Sequence, residues 1–74
     1  MNDRIVIDSR IQHGKPTIKG TRVPVSRILG GLAGGMTIAE VSDAYSITPD
    51  DIRAALEYAE RLVEQDEHHA LPLS

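Results

Sequence analysis

The chain contains no cysteine, tryptophan or phenylalanine, and its only aromatic residues are Tyr45 and Tyr58. Without cysteine, neither a disulfide nor a thiolate metal site can form. Two tyrosines do not make a stacking platform for single-stranded nucleic acid. No apolar run approaches the ~20 residues that a membrane span needs. Met1-Asn2-Asp3-Arg4 leads into an apolar stretch too short for a signal peptide, so the cytoplasm is the expected location. His13, His68 and His69 have no further ligands at metal-binding spacing, and no metal or other cofactor is expected. What remains is 74 residues, 41% of them hydrophobic, enough for one globular domain. Cores of this size rarely give more than ~3–5 kcal/mol of net stability. With disulfides and metals excluded, self-association is the remaining support, and a homodimer is expected.

The net charge of −3 conceals a segregation. Residues 1–27 carry six Lys and Arg against two acids, whereas residues 28–74 carry two Arg against nine acids. A basic head suits phosphates, and an acidic remainder suits a basic protein surface.

Arg4-Ile5-Val6-Ile7 is rich in β-branched residues and reads as a short strand. Asp8-Ser9 and His13-Gly14-Lys15-Pro16 are turn signals. Thr17-Ile18-Lys19 and Thr21-Arg22-Val23 flank Gly20, where a bulge or tight bend is expected. Residues 1–23 are therefore short extended pieces that need a helical layer or a second chain to cover them. Pro24 opens a helix in which Val25, Ile28, Leu29 and Leu32 follow the helical period and Gly34-Gly35 stops it. Gly30 and Gly31 inside this helix suggest close approach of another backbone. Thr37-Ile38-Ala39-Glu40 is a capping-box pattern, and Ile38, Val41, Ala44 and Tyr45 form the apolar face of a short helix. Thr48-Pro49-Asp50-Asp51 starts a third helix, with Thr48 as N-cap and the acids facing the dipole. Ile52, Ala55, Leu56, Ala59, Leu62 and Val63 keep the period to about Gln65. The expected architecture is mainly α: a three-helix, helix-turn-helix-like domain with a short β N-terminal arm over residues 1–65. An acidic, flexible tail is expected over residues 66–74.

Little here supports catalysis. Gly14-Lys15-Pro16-Thr17 is not a phosphate loop, because Ser9 stands where the upstream Gly is required and Pro16 where the hydroxyl is required. Asp50-Asp51 is explained as a helix start. No nucleophile, base and orienting group converge at a readable spacing, so a non-enzymatic protein is expected. Helix 37–45, a turn and helix 49–65 have the dimensions of a helix-turn-helix pair. The reading helix would begin with Asp50 and Asp51, which repel phosphate, and only Arg53 there is favourable. Any phosphate contacts should come from Lys15, Lys19, Arg22 and Arg27. Arg22 has a second reading, as a structural tie across the Gly20 bend to backbone carbonyls or to Asp8.

The run Gly14-Lys15-Pro16-Thr17-Ile18-Lys19-Gly20-Thr21-Arg22-Val23-Pro24-Val25 is distinctive. It resembles the signature of the small bacterial and archaeal family catalogued as domain of unknown function 433. Gly35, Thr37 to Glu40, Tyr45 and Thr48-Pro49-Asp50-Asp51-Ile52-Arg53-Ala54-Ala55-Leu56-Glu57-Tyr58-Ala59 match that family's later pattern in order, so the resemblance covers roughly residues 4–64. Asp8-Ser9 stands where the family often has Asp-Pro, and the turn after Tyr45 is one residue shorter than usual. The resemblance implies a helix-turn-helix-like, VapB-type antitoxin of a type II toxin–antitoxin system. It implies a PIN-like ribonuclease toxin as partner, inhibited by occlusion of its acidic metal site, with operator DNA as a second partner. On this reading Lys15, Lys19, Arg22, Arg27 and Arg53 are the DNA-contacting candidates. Leu62, Val63, Leu71 and Leu73 are the toxin-contacting candidates, since antitoxin tails often order on the toxin surface. The alternatives are a stand-alone DNA-binding repressor and a plain dimerisation module.

Overall fold

A computed structural model of the chain describes residues 3–66. Two strands, β1 (Ile5–Val6) and β2 (Thr17–Ile18), precede three helices, α1 (Val25–Ala33), α2 (Ile38–Tyr45) and α3 (Pro49–Asp66). The expected mainly helical domain with a short β arm is the architecture observed. The strands pair antiparallel, with Ile5 opposite Ile18 and Val6 opposite Thr17. Each helix packs on the other two, and α3 also touches β1. The helical layer thus covers the arm, as two marginal strands require.

The core is aliphatic. Ile18 comes from β2, Val25 and Ile28 from α1, Val41 from α2, Ile47 from the following turn, and Ile52 and Ala55 from α3. These side chains arrive at one place because their periods match their elements: Val25 and Ile28 share one face of α1, and Ile52 and Ala55 one face of α3. Leu29, Leu32, Met36, Tyr45 and Tyr58 pack around that centre half-buried. Ala44, expected on the apolar face of α2, is exposed.

Both later helices begin as their sequences dictate. At α2 the Thr37 hydroxyl accepts from the Glu40 amide at 3.1 Å, and the Glu40 carboxylate accepts from the Thr37 amide at 2.8 Å. At α3 the Thr48 hydroxyl accepts from the Asp51 amide at 3.1 Å, and Asp51 accepts from the Thr48 amide at 3.0 Å. These reciprocal bonds satisfy two otherwise orphaned donors at each end. Between the helices Ser46 takes a left-handed conformation, φ 54°. The Ser42 hydroxyl donates to the Ile47 carbonyl, which holds Ile47 inward.

The α3 cap is also where the arm is fastened. Arg4 donates from Nη1 to Asp51 Oδ1 at 3.0 Å, and its Nη2 lies 3.9 Å from Asp50. Burial pushes the Asp51 carboxyl up, but the Thr48 amide, the Arg4 guanidinium and the Thr48 hydroxyl together hold it below its ordinary value of 3.8. A carboxylate with a depressed native pKa contributes stability above its unfolded pKa and loses it as the pH falls through the native value. Asp51→Ala should therefore cost about 1 kcal/mol at neutral pH. The gap between variant and wild type should close as the pH is taken below 3.8. Urea unfolding at neutral and acid pH checks this; a gap that stays constant with pH would show that the cap does not titrate.

Candidate nucleic-acid and protein-docking surfaces

The signature run folds into a hairpin. The Ile18 amide donates to the Val23 carbonyl, Thr17 bridges to Pro24, and the Val25 amide donates to the Pro16 carbonyl. Its tip is Lys19-Gly20-Thr21-Arg22. Gly20 has φ 80°, a left-handed conformation that a side chain disfavours, and supplies the expected bend.

The ties across this bend come from Thr21 and Gln12. The Thr21 hydroxyl donates to the Ile18 carbonyl at 2.8 Å and accepts from the Val23 amide at 3.0 Å. Gln12 Nε2 donates to the Arg22 carbonyl at 3.2 Å. The structural role considered for the Arg22 side chain is therefore filled by others. Asp8, its other possible partner, is engaged by Arg10 from both the backbone amide and the guanidinium. That contact holds the Asp8 carboxyl below its ordinary range.

Three cations lie on or next to this hairpin and a fourth, Arg27, in the first turn of α1 that follows it. Lys19 and Arg22 flank the tip. Lys15 precedes its open end, where the Pro16–Val25 bond closes the ladder. All four residues are exposed, and among the described residues none of them forms an ion pair. Just before Lys15, the turn Gln12–Gly14 is left-handed throughout, with φ of 50°, 58° and 83°. Two of these residues carry side chains, each at a cost of roughly 1–2 kcal/mol. His13-Gly14-Lys15-Pro16 signals a turn in the sequence, but nothing there marks the left-handed backbone of Gln12.

Arg53 stands apart from that group, on the second turn of α3 behind Asp50 and Asp51. The start of α3 is poorly suited to phosphate. The amides of Thr48 and Asp51 are committed to the Thr48–Asp51 box, two carboxylates crowd it, and Arg4 is spent on them. The Arg4 latch has no signal in the sequence because its partner lies 47 residues away.

The apolar candidates divide. Leu62 and Val63 are exposed on α3 and take no part in the core; Leu56, one and a half turns earlier, is exposed as well. Leu71 and Leu73 lie outside the described residues, as do His68 and His69. Among the described residues no cluster of His, Asp and Glu is placed to hold a metal ion, and no helix is long and apolar enough to cross a membrane.

A family model described as "Protein of unknown function (DUF433)" matches residues 5–59. The chain is 42% identical over 53 residues to a Mycobacterium tuberculosis protein named "Putative antitoxin VapB45", a match covering 72% of this chain and 22% of that protein. It is 61% identical over 23 residues to an uncharacterised protein of Archaeoglobus fulgidus, over 31% of this chain and 64% of the other. The crystal structure of Rv2018 from Mycobacterium tuberculosis superposes with a TM-score of 0.65 at 42% identity, over 70% of this chain and 24% of that one. This chain thus spans less than two thirds of the length of each of these relatives.

Proposed function

The chain belongs to the DUF433 family, and from that premise we propose that it is the antitoxin of a type II toxin–antitoxin pair, acting by binding rather than by catalysis. The observation that carries this reading is its 42% identity, across most of the domain, to a protein named as an antitoxin. The charge layout supports it. The exposed acids Glu57, Glu60 and Glu64 line α3 and suit a basic protein surface. Leu71 and Leu73, beyond the described residues, are further toxin-contacting candidates. The toxin class we propose is a PIN-like ribonuclease whose acidic metal site is occluded.

The hairpin gives the same protein a second partner. Lys15, Lys19 and Arg22 around the hairpin, with Arg27 at the start of α1, form no ion pair among the described residues, and they fit the phosphates of operator DNA better than the acidic start of α3 does. On this reading phosphate contacts are made by the arm rather than by a reading helix.

Co-expression with the neighbouring reading frame tests the first part. A stable hetero-oligomer in which a ribonuclease activity is suppressed supports the antitoxin reading. A chain that recovers alone and leaves that activity untouched refutes it. For DNA, replacing Lys19 and Arg22 together by Ala should lower the slope of log K against log salt by about 2, near 0.9 for each phosphate left without its cation. Weaker binding with an unchanged slope would remove these two residues from the interface. Tight, salt-steep DNA binding by a chain with no protein partner would favour the stand-alone repressor.

A further inference from the structure

We propose that His13 is a further phosphate contact of this protein, and that Gln12 is the residue that positions it by pinning its turn to the tip of the basic hairpin. This contact rests on the operator-DNA reading and extends it. Gln12, His13 and Gly14 are all left-handed, with φ of 50°, 58° and 83°. Glycine takes that conformation freely and histidine is enriched in it among the other residues, but glutamine is not. None of the three is buried and none belongs to the core cluster, so the turn is not held for packing. A costly backbone conformation persists where surrounding contacts over-determine it. Two of those contacts are local: the Gly14 amide donates to the Ile11 carbonyl at 3.0 Å, and the Lys15 amide to the Gln12 carbonyl at 3.1 Å. A third reaches ten residues along the chain, where Gln12 Nε2 donates to the Arg22 carbonyl at 3.2 Å.

That bond seats the turn beside the Arg22 backbone, and His13 is the next residue in the chain. His13 is exposed, and its imidazole forms no hydrogen bond or ion pair among the described residues. The charged groups around it come from three segments. Lys15 follows it, Arg22 comes from the hairpin tip, and Asp8 and Arg10 come from the loop in which the Asp8 carbonyl accepts from the Ile11 amide at 2.8 Å. The Asp8 carboxylate already accepts from the Arg10 amide and guanidinium, at 2.9 to 3.1 Å. Lys15 and Arg22 form no ion pair among the described residues. An imidazolium at residue 13 therefore has cations as neighbours and one carboxylate that is already occupied. A DNA phosphate beside Lys15 and Arg22 supplies the missing anion, and the protonated ring can donate to it. Phosphate favours the charged form of the ring, so DNA binding draws a proton onto His13. Affinity then rises as the pH falls through the range, about pH 8 to 5, in which histidine changes charge.

Phosphate contacts carry no sequence information, so a short DNA duplex of mixed sequence is a sufficient probe. Fluorescence anisotropy with the full-length chain reads the slope of log K against log salt at about pH 5.5 and about pH 8. The wild-type slope should be steeper by about 0.9 at the lower pH, the increment of one further phosphate contact. His13→Asn keeps a residue that accepts the left-handed backbone but takes up no proton, and should show the wild-type pH 8 slope at both values. His13→Lys should show the steeper slope at both. Helicity by circular dichroism should be unchanged in each variant. Gln12→Gly accepts the same backbone without the tie to Arg22, and should lose the pH-dependent increment while keeping the wild-type slope at pH 8. His68 and His69 remain in every variant, so an increment lost on substitution of residue 13 belongs to His13. A wild-type slope that is equal at the two pH values overturns the proposal and leaves the operator-DNA reading standing. So does an increment that survives in His13→Asn. An increment that survives in Gln12→Gly removes the positioning role. Absence of duplex binding at low salt at either pH refutes the operator-DNA reading and this contact together.

Discussion

Ile28→Ala is expected to leave the chain largely unfolded at room temperature. Ile28 is fully buried in α1, at the meeting point of β2 and the three helices. Removing its side chain beyond Cβ loses the transfer free energy and leaves a cavity, together about 2–5 kcal/mol. A domain of this size has only ~3–5 kcal/mol of net stability to lose. The surroundings are poorly able to collapse into the gap. Ile18, Val41 and Ile52 are themselves fully buried and β-branched, with few alternative rotamers. Ile38→Ala is the matched control: the same chemical change at an exposed position should move the unfolding midpoint by less than about 0.5 kcal/mol. Urea titration by circular dichroism reads both. A folded Ile28→Ala variant with near wild-type midpoint would mean that the core is not where the structure places it.

The elements that the sequence made legible are those whose information is local. The Thr37–Glu40 box, the Thr48-Pro49-Asp50-Asp51 start and the Gly34-Gly35 stop each confine their signal to four residues or fewer, and each bounds its helix as expected. The Arg4 latch on Asp51 joins residues 47 apart, and no local period encodes it. The left-handed backbone at Gln12 and His13 has no local signal in Gln12, which does not favour it; it sits beside hydrogen bonds from Gly14 to Ile11 and from Gln12 to Arg22. The candidate surfaces divide in the same way. That Lys15, Lys19, Arg22 and Arg27 would be solvated cations could be read from composition; that Lys19 and Arg22 flank a hairpin tip depends on the Thr17–Pro24 pairing. For Leu62 and Val63 the helical period alone was compatible with core. The end of the covering elements near Tyr58 decides that they are surface.

Gly31→Val should destabilise the domain by about 1–3 kcal/mol, while Gly30→Ala, one residue earlier, should stabilise it by about 0.5–1 kcal/mol. The paired glycines of α1 suggested close approach of another backbone, but what approaches is a pair of side chains, and only at one of the two positions. A Cβ on Gly31 would sit 3.1 Å from Met36 Sδ and 3.4 Å from Val41 Cγ2. Met36 is half-buried and unbranched, so it can yield to a single methyl. Val41 is fully buried and stiff, and the two further methyls of valine have to be accommodated against it. A Cβ on Gly30 meets nothing within 4 Å, and its solvent-facing position makes alanine a better helix former at no steric cost. Thermal unfolding of the two variants and of the double substitution separates the effects. The backbone change is nearly the same at both sites, so helix propensity predicts shifts of one sign. Opposite shifts isolate the contact with Met36 and Val41 as the reason that α1 carries glycine at residue 31, whereas destabilisation at residue 30 as well would mean that something outside this chain packs against that face.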